Sequence, residues 1–299
     1  MSRAPAAHDV PSEEPERPRV GYLGPAGTFS EEALLASALP DSVAPVALAS
    51  IYDAALALRR SEVEWAILPI ENSLEGSVSV TLDLLAEEES ELEIVGETRL
   101  PVRHSLIAGR ELRPSEIETV VSHPQVPGQC TRLLRGELAH AHIMPASSTA
   151  EAVRLVAEED HPGWAALGTA LAAEIYGGVV IRRDVQDSAE NETRFVWLAR
   201  RGSERVLPLR ESPDVGYRTS LVFWGAGAGY PGWLVRCLQE FSGREINLTR
   251  IESRPRRNGM GQYVFFVDLE GRLGESRVDG ALVGLRALCE DVRVLGSYR

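Results

Sequence analysis

Short apolar runs alternate with amphipathic stretches over the first two thirds of the chain. RVGYL, WAILPI, IETVVS, HIMPA, WAALG, VVIRR and RFVWLA read as strands, and several lack polar alternation, as strands covered on both faces do. Between them Ile51, Ala54, Ala55 and Leu58 fall at helical spacing behind a cap at Ser50, and Thr149, Ala152, Val153 and Val156 repeat it behind Ser148. The alternation predicts an α/β unit whose ligands bind beyond the strand C-termini. Two such blocks, roughly 20–100 and 101–185, predict two lobes with a cleft between them. Residues 202–216 are polar and proline-containing and read as a linker. Over 217–299 the order becomes strand (TSLVFW), helix, strand, strand (QYVFFVDL), helix, strand (VRVLG), a ferredoxin-like βαββαβ unit. Its helices carry Leu234, Cys237, Leu238 and Phe241, and Val278, Leu282, Leu285 and Cys289, on single stripes. Residues 1–18 are rich in proline, alanine and charge with nothing to bury, which predicts a disordered tail.

Composition narrows the chemistry. Among 299 residues, 44 acidic side chains face 31 basic ones for a net charge of -13, which disfavours nucleic acid and anionic membrane partners. Every basic residue is arginine. With no lysine there is no Schiff base and no Walker A contact to a nucleotide phosphate. Cys130, Cys237 and Cys289 lie far apart in sequence among apolar residues, so neither a disulfide framework nor a thiolate metal cage is expected, and a reducing, cytoplasmic setting is. No apolar run reaches membrane length and no secretory layout opens the chain. His140 and His142 have no third ligand nearby, so no metal is expected.

Four segments carry candidate chemistry. GYLGPAGTFSEEAL, from Gly21 to Leu34, follows a strand and opens a helix, with Thr28 or Ser30 as cap and Glu31 and Glu32 in the first turn. Free N–H groups at a helix start favour an anion such as a carboxylate, and a plain tight turn reads the same way. LPIENSLEGSV puts Glu71, Asn72 and Ser73 directly after a buried strand, as ligands of a hydroxylated, charged small molecule or as an Asx turn. SHPQVPGQC sets His123 at a strand end, where it is a proton-transfer group or a backbone-bonded structural histidine. DVQDSAENETRFVWLA places Asn191, Thr193 and Arg194 at the entry to an apolar strand. Arg194 there is a two-pronged carboxylate clamp beside a neutral proton donor, Thr193, or the two are a strand-start threonine and an exposed ion pair. A threonine hydroxyl is a poor acid, so donation requires a leaving group with strong driving force of its own. GAGYPG, from Gly227 to Gly232, matches GxGxxG, but the unit is half the size of a dinucleotide domain and Pro231 suits the first position of a helix. Nicotinamide binding is not expected.

Taken together these segments resemble the prephenate dehydratase family from Val20 to the C-terminus. GPxGTFSEEA, PIENSxxGSV, SHPQ with a later QC, STAEA, AALG with AAxxYG, and NxTRF stand in family order at family-like separations. INLTRIESRP at Ile246 to Pro255 and GxLV at Gly232 to Val235 resemble an ACT regulatory domain. The resemblance implies a bilobal α/β catalytic domain over 19–201 like the type II periplasmic binding proteins, its lobes about 19–100 with 186–201 and about 101–185, then an ACT domain over 217–299. It implies decarboxylating dehydration of prephenate to phenylpyruvate in phenylalanine biosynthesis, with no cofactor. Alternatives are arogenate as substrate, decarboxylation without aromatisation, or a non-catalytic small-molecule sensor. By similarity Thr193 protonates the departing hydroxyl, Arg194 positions a substrate carboxylate and Phe195 packs beneath it. Thr28, Glu71, Asn72, Ser73 and Ser148 would line the cleft, with His123 a secondary contributor. The ACT resemblance implies control by phenylalanine or another aromatic amino acid, bound at a subunit interface of a homodimer or homotetramer through Gly232, Leu234, Val235, Asn247, Leu248, Glu252, Ser253 and Arg254. Where the family commonly reads GAL, this chain reads Gly232, Trp233, Leu234. An indole in place of a methyl overfills a packed pocket, which predicts weakened or altered phenylalanine binding.

Overall fold

The computed structural model describes residues 17–87, 90–158, 161–210, 216–225, 229–256 and 262–299. Nearly all of the predicted tail, residues 211–215 of the predicted linker and the first glycine of GAGYPG lie outside them. The first lobe comprises β1 (Arg19–Leu23), α1 (Phe29–Ser37), β2 (Ala44–Leu48), α2 (Ile51–Arg59), β3 (Trp65–Asn72), the short β4 (Gly76–Ser77), α3 (Ser79–Ala86) and β5 (Leu92–Pro101). The second holds β6 (Ser105–Ala108), β7 (Thr119–Ser122), α4 (Thr131–Arg135), β8 (His142–Pro145), α5 (Thr149–Glu158), β9 (Trp164–Gly168), α6 (Ala170–Tyr176) and β10 (Val179–Arg182). The chain then returns to the first lobe as β11 (Glu192–Arg200), so it crosses between lobes twice. Strand order is β2-β1-β3-β11-β5 in the first sheet and β10-β6-β9-β7-β8 in the second.

Local sequence accounts for these elements. Ser50 caps α2 by accepting the Asp53 N–H at 3.0 Å, and Ser148 caps α5 by accepting that of Glu151 at 3.0 Å. Thr169 does the same for α6, which ends on Gly177 in the left-handed region. β11 is antiparallel to both neighbours and buried from Phe195 to Ala199. Successive side chains therefore enter two different cores. Phe195 and Trp197 pack with Val20, Tyr22 and Ile67 under α1. Val196 and Leu198 face the other way.

That second face is where the C-terminal unit sits. It is built of β12 (Arg218–Trp224), α7 (Trp233–Ser242), β13 (Leu248–Pro255), β14 (Tyr263–Glu270), α8 (Ser276–Leu288) and β15 (Asp291–Tyr298), with strand order β13-β14-β12-β15. Phe223, Val267 and Leu269 pack beneath α7 and α8. The opposite sheet face, with Val222, Trp224, Phe266, Leu295 and Tyr298, joins Val196, Leu198 and Ile94 of the first lobe in one core. Each fully buried side chain of this size contributes about 1.5–3 kcal/mol. Gly296 lies directly against the Ile94 carbonyl, where any side chain would collide, and Glu97 N–H donates to the Arg299 carbonyl at 3.1 Å.

Three expectations change. The described part of the predicted linker is not loose, because Leu207 and Leu209 pack onto the first lobe and Leu39 N–H donates to the Pro208 carbonyl at 2.8 Å. α7 begins at Trp233 behind a left-handed Gly232, so Pro231 precedes the cap and is not the first helical residue. Cys237 and Cys289, distant in sequence, meet with sulfurs 3.8 Å apart as free thiols.

Candidate active site

The parallel strands of the two lobes end toward each other, and the loop after β1 crosses to the second lobe. Gly27 has φ 84°, and a Cβ there would lie 2.7 Å from the Ala172 Cα of α6. Only glycine allows this approach. Thr169 Oγ1 donates to the Gly27 carbonyl at 2.5 Å and Tyr176 OH to that of Ala26 at 3.0 Å. At the start of α1 the chain supplies its own anion, since Gly27 N–H donates to Glu31 Oε2 at 2.5 Å. Thr28 is buried and donates its hydroxyl to the Leu23 carbonyl at 2.9 Å, so it neither caps α1 nor presents a free proton. Burial pushes the half-buried Glu32 carboxyl up to about 7, Leu171 N–H works against that shift, and Glu174 adds to it. The carboxylate of Glu31 thus holds the turn before the cap, on the Gly27 N–H and not on the first-turn N–H groups.

Asn72 closes β3 and lies directly opposite Thr193, the second residue of β11, in the ladder. Asn72 Oδ1 accepts the backbone N–H groups of Leu74 and Glu75, each at 2.9 Å. This fixes the amide, whose Nδ2 donates to Thr193 Oγ1 at 2.9 Å and Asn191 Oδ1 at 2.9 Å. Because the hydroxyl oxygen accepts, its own hydrogen is left to point elsewhere. Asn191, almost fully buried, donates on to Gln129 Oε1 at 3.0 Å. Gln129 comes from the second lobe, so this contact spans the cleft, and its Nε2 donates back to Glu75 Oε1 at 3.3 Å. His104 Nε2 lies 3.1 Å from the same Gln129 oxygen and must be the donor, since that oxygen already accepts from Asn191. Burial pushes the His104 imidazole below its ordinary range, with the Gln129 bond opposing, so it is neutral with Nδ1 buried and unpartnered among the described residues. Ser73 completes the rim by accepting the Glu192 N–H at 3.0 Å.

Adjacent motif residues part company at this point. Arg194 is 5% exposed, and its guanidinium reaches Asp268 at 2.7 Å, Glu71 at 3.1 Å and Glu97 at 3.2 Å. Burial opposes its charge, but Asp268, Tyr298, Glu97 and Glu71 outweigh that and push its pKa above the ordinary arginine value. Its expected role as a clamp for a substrate carboxylate is therefore corrected, because both terminal nitrogens are held by carboxylates of this chain on the face away from Asn72, with Nε buried and unpartnered among the described residues. Glu71 goes with it. Phe195 lies in the core under α1, 1% exposed, and not beneath the guanidinium. His123 is half-buried at the end of β7, its Nδ1 at 3.5 Å from the Gln125 N–H, and Ser148 is the α5 cap at the end of β8.

Among the expected effector residues, Gly232, Val235, Asn247 and Ser253 are exposed, and Leu234 and Leu248 pack partly against the core under α7 and α8. Glu252 and Arg254 face the first lobe instead. Glu252 bonds Ser77 and pairs with Arg250 at 2.7 Å, and Arg254 pairs with Asp83 at 2.8 Å and donates to Ser79 at 2.8 Å. The alternation of β13 turns them inward, which corrects their assignment as effector ligands. Trp233 is also a core residue, donating Nε1–H to the Leu288 carbonyl at 2.8 Å beside Phe223 and Phe265. The extra volume of the indole is taken up by that core, which removes the physical reason for expecting weakened phenylalanine binding.

Sequence reasoning named Asn191 without assigning it a role and missed Gln129, His104, Glu97 and Asp268. A signal existed for two of them. Asp268 is a lone carboxylate inside the apolar run YVFFVDL, and Gln129 follows two turn-forming residues at the lobe edge.

Fold and site define a two-lobed α/β enzyme with a polar cleft and a βαββαβ unit fused to its back. The family model for prephenate dehydratase matches residues 20–203. The prephenate dehydratase of Amycolatopsis methanolica is 40% identical over 281 residues, covering 94% of this chain and 88% of that one. The crystal structure of the Arthrobacter aurescens prephenate dehydratase in complex with L-Phe has 33% identity and a TM-score of 0.82, over 94% of this chain and 89% of that one. GqqA, described as a novel type of quorum quenching acylase, has 26% identity and a TM-score of 0.81, over 94% and 97%. The chain belongs to the prephenate dehydratase family, and dehydration of prephenate is its reaction.

Proposed function

We propose that Thr193 donates the proton on which the reaction turns. Prephenate loses carbon dioxide from its ring carboxylate, the electron pair of that bond enters the ring, and the 4-hydroxyl leaves as water once protonated. Aromatisation supplies the driving force, so a weak neutral acid held in the correct orientation suffices. The observation that carries this reading is the Asn72 amide: locked by two backbone N–H groups, it donates to Thr193 Oγ1 and leaves the hydroxyl hydrogen for a ligand. A hydroxyl paired with an amide donor is not an activated nucleophile, which requires a base within hydrogen-bond reach. This favours dehydration over acyl transfer. Asn72, its amide fully engaged within the chain, orients Thr193 and does not bind the substrate itself. Ser73 binds at the first-lobe rim, with His123 and Ser148 opposite at the strand ends of the second.

In this reading residues 19–201 are a catalytic domain of the type II periplasmic-binding kind and residues 217–299 an ACT domain. Phenylalanine would bind at the exposed surface of Gly232, Val235, Asn247 and Ser253, completed by a second copy in a dimer or tetramer. Incubation with prephenate, followed by the alkaline ultraviolet absorbance of phenylpyruvate, tests the reaction. Thr193→Ala is expected to lower turnover at least ~100-fold with the fold intact. Near-normal turnover overturns the assignment. Calorimetry with phenylalanine tests the effector reading, and the absence of a binding heat would refute it.

A further inference from the structure

The Arg194 cluster joins the C-terminal unit to the strand that carries Thr193. Asp268 is 2% exposed in the middle of β14 and reaches Arg194 at 2.7 Å. Its other oxygen accepts from Ser220 of β12 at 2.6 Å, and Ser220 is bonded to Tyr298 of β15 at 2.7 Å. The carboxylate is thus held by two further strands of its own unit. Glu97 of β5, only 6% exposed, reaches Arg194 at 3.2 Å and Arg218 of β12 at 3.6 Å.

The ladder beside Thr193 is irregular. Arg194 pairs with Glu71 but Phe195 pairs with Pro69, so β3 carries an extra residue at that step. The bulge interrupts the pairing on the β3 side alone, the side that carries Asn72, while β11 keeps a regular register with β5 from Glu192 to Trp197. An arginine one residue from the hydroxyl, anchored by carboxylates from three elements, fixes the strand at that step. We propose that Asp268 is a positioning residue for Thr193, acting through Arg194, so that the C-terminal unit helps set the catalytic geometry. This rests on Thr193 being the proton donor.

A double-mutant cycle on the full chain with prephenate tests it. Asp268→Asn removes the charge and is expected to lower kcat at least ~10-fold, with KM within about two-fold. In a Thr193→Val background the same change is expected to cost less than about two-fold, because the group it positions is gone. A purely structural role lowers kcat by the same factor in both backgrounds, and that result overturns the proposal. If Asp268→Asn does not fold, Ser220→Ala, which frees one Asp268 oxygen without changing charge, substitutes in the same cycle, and unchanged kcat overturns the proposal. Full turnover by Thr193→Val sinks the proton-donor reading itself. Slow Thr193→Val beside unaffected Asp268→Asn sinks only the present inference.

Discussion

The two faces of β11 are built by opposite rules, although they alternate residue by residue along one strand. The face bearing Thr193 is neutral: amides from Asn72, Asn191 and Gln129 run from the hydroxyl to a neutral His104 in the second lobe. The face bearing Arg194 is charged and dry, with Glu97 and Asp268 buried against the guanidinium. A carboxylate beside Thr193 would accept the hydroxyl hydrogen and disarm it as a donor, whereas an amide N–H leaves it free. Behind the strand the requirement is reversed, since a buried guanidinium needs full compensation and in return fixes register between two units. Neighbours in a motif therefore face opposite surroundings.

The comparison is broken most severely from the charged side. Arg194→Met would leave Glu97 and Asp268 buried without their shared cation and is expected to cost about 3–5 kcal/mol in denaturant unfolding. A loss below about 1 kcal/mol would mean that water reaches the cluster. On the neutral side, Asn72→Ala removes the amide that orients Thr193. It is expected to lower kcat about 30-fold, some 2 kcal/mol, with a smaller stability change than Arg194→Met. An effect on KM alone would assign Asn72 to binding.

The smallest expected effect concerns the lobe contact near α6. The Glu32 carboxyl, raised by burial from 4.5 to about 7, keeps its proton in the native state over a range where the unfolded chain has lost it. Its contribution to stability is therefore complete below 4.5 and is lost as pH rises through 7. Glu32→Gln is expected to match the wild type near pH 4 and exceed it by about 1–2 kcal/mol near pH 8, partial exposure having been discounted. Equal pH profiles for the two proteins would show that Glu32 titrates as an ordinary carboxylate.

Much of the architecture was legible because periodicity reports burial. Unbroken apolar runs marked RFVWLA and WAALG as inner strands, Ser50 and Ser148 sit at their helix starts, and the βαββαβ order was visible in spacing alone. The fusion of the units was not, because alternation along β12 and β14 shows two apolar faces without saying what covers the second. At the site, ENS and NETRF were located but their facing was misjudged. Arg194 and Glu71 look like ligand-seeking charges in a linear chain, and only the pairing of β3 with β11 and the arrival of Asp268 reveal that they seek each other. His104 and Gln129 lie far from Thr193 in sequence, and their link to it exists only where the two lobes meet.

The most direct test of the role of Thr193 compares Thr193→Val with Thr193→Ser under saturating prephenate. Valine keeps the shape and removes the hydroxyl, while serine keeps the hydroxyl and removes a methyl. Thr193→Ser is expected to retain turnover within about 10-fold and Thr193→Val to lose at least ~100-fold, both folded. Equal rates for the two variants would contradict the account.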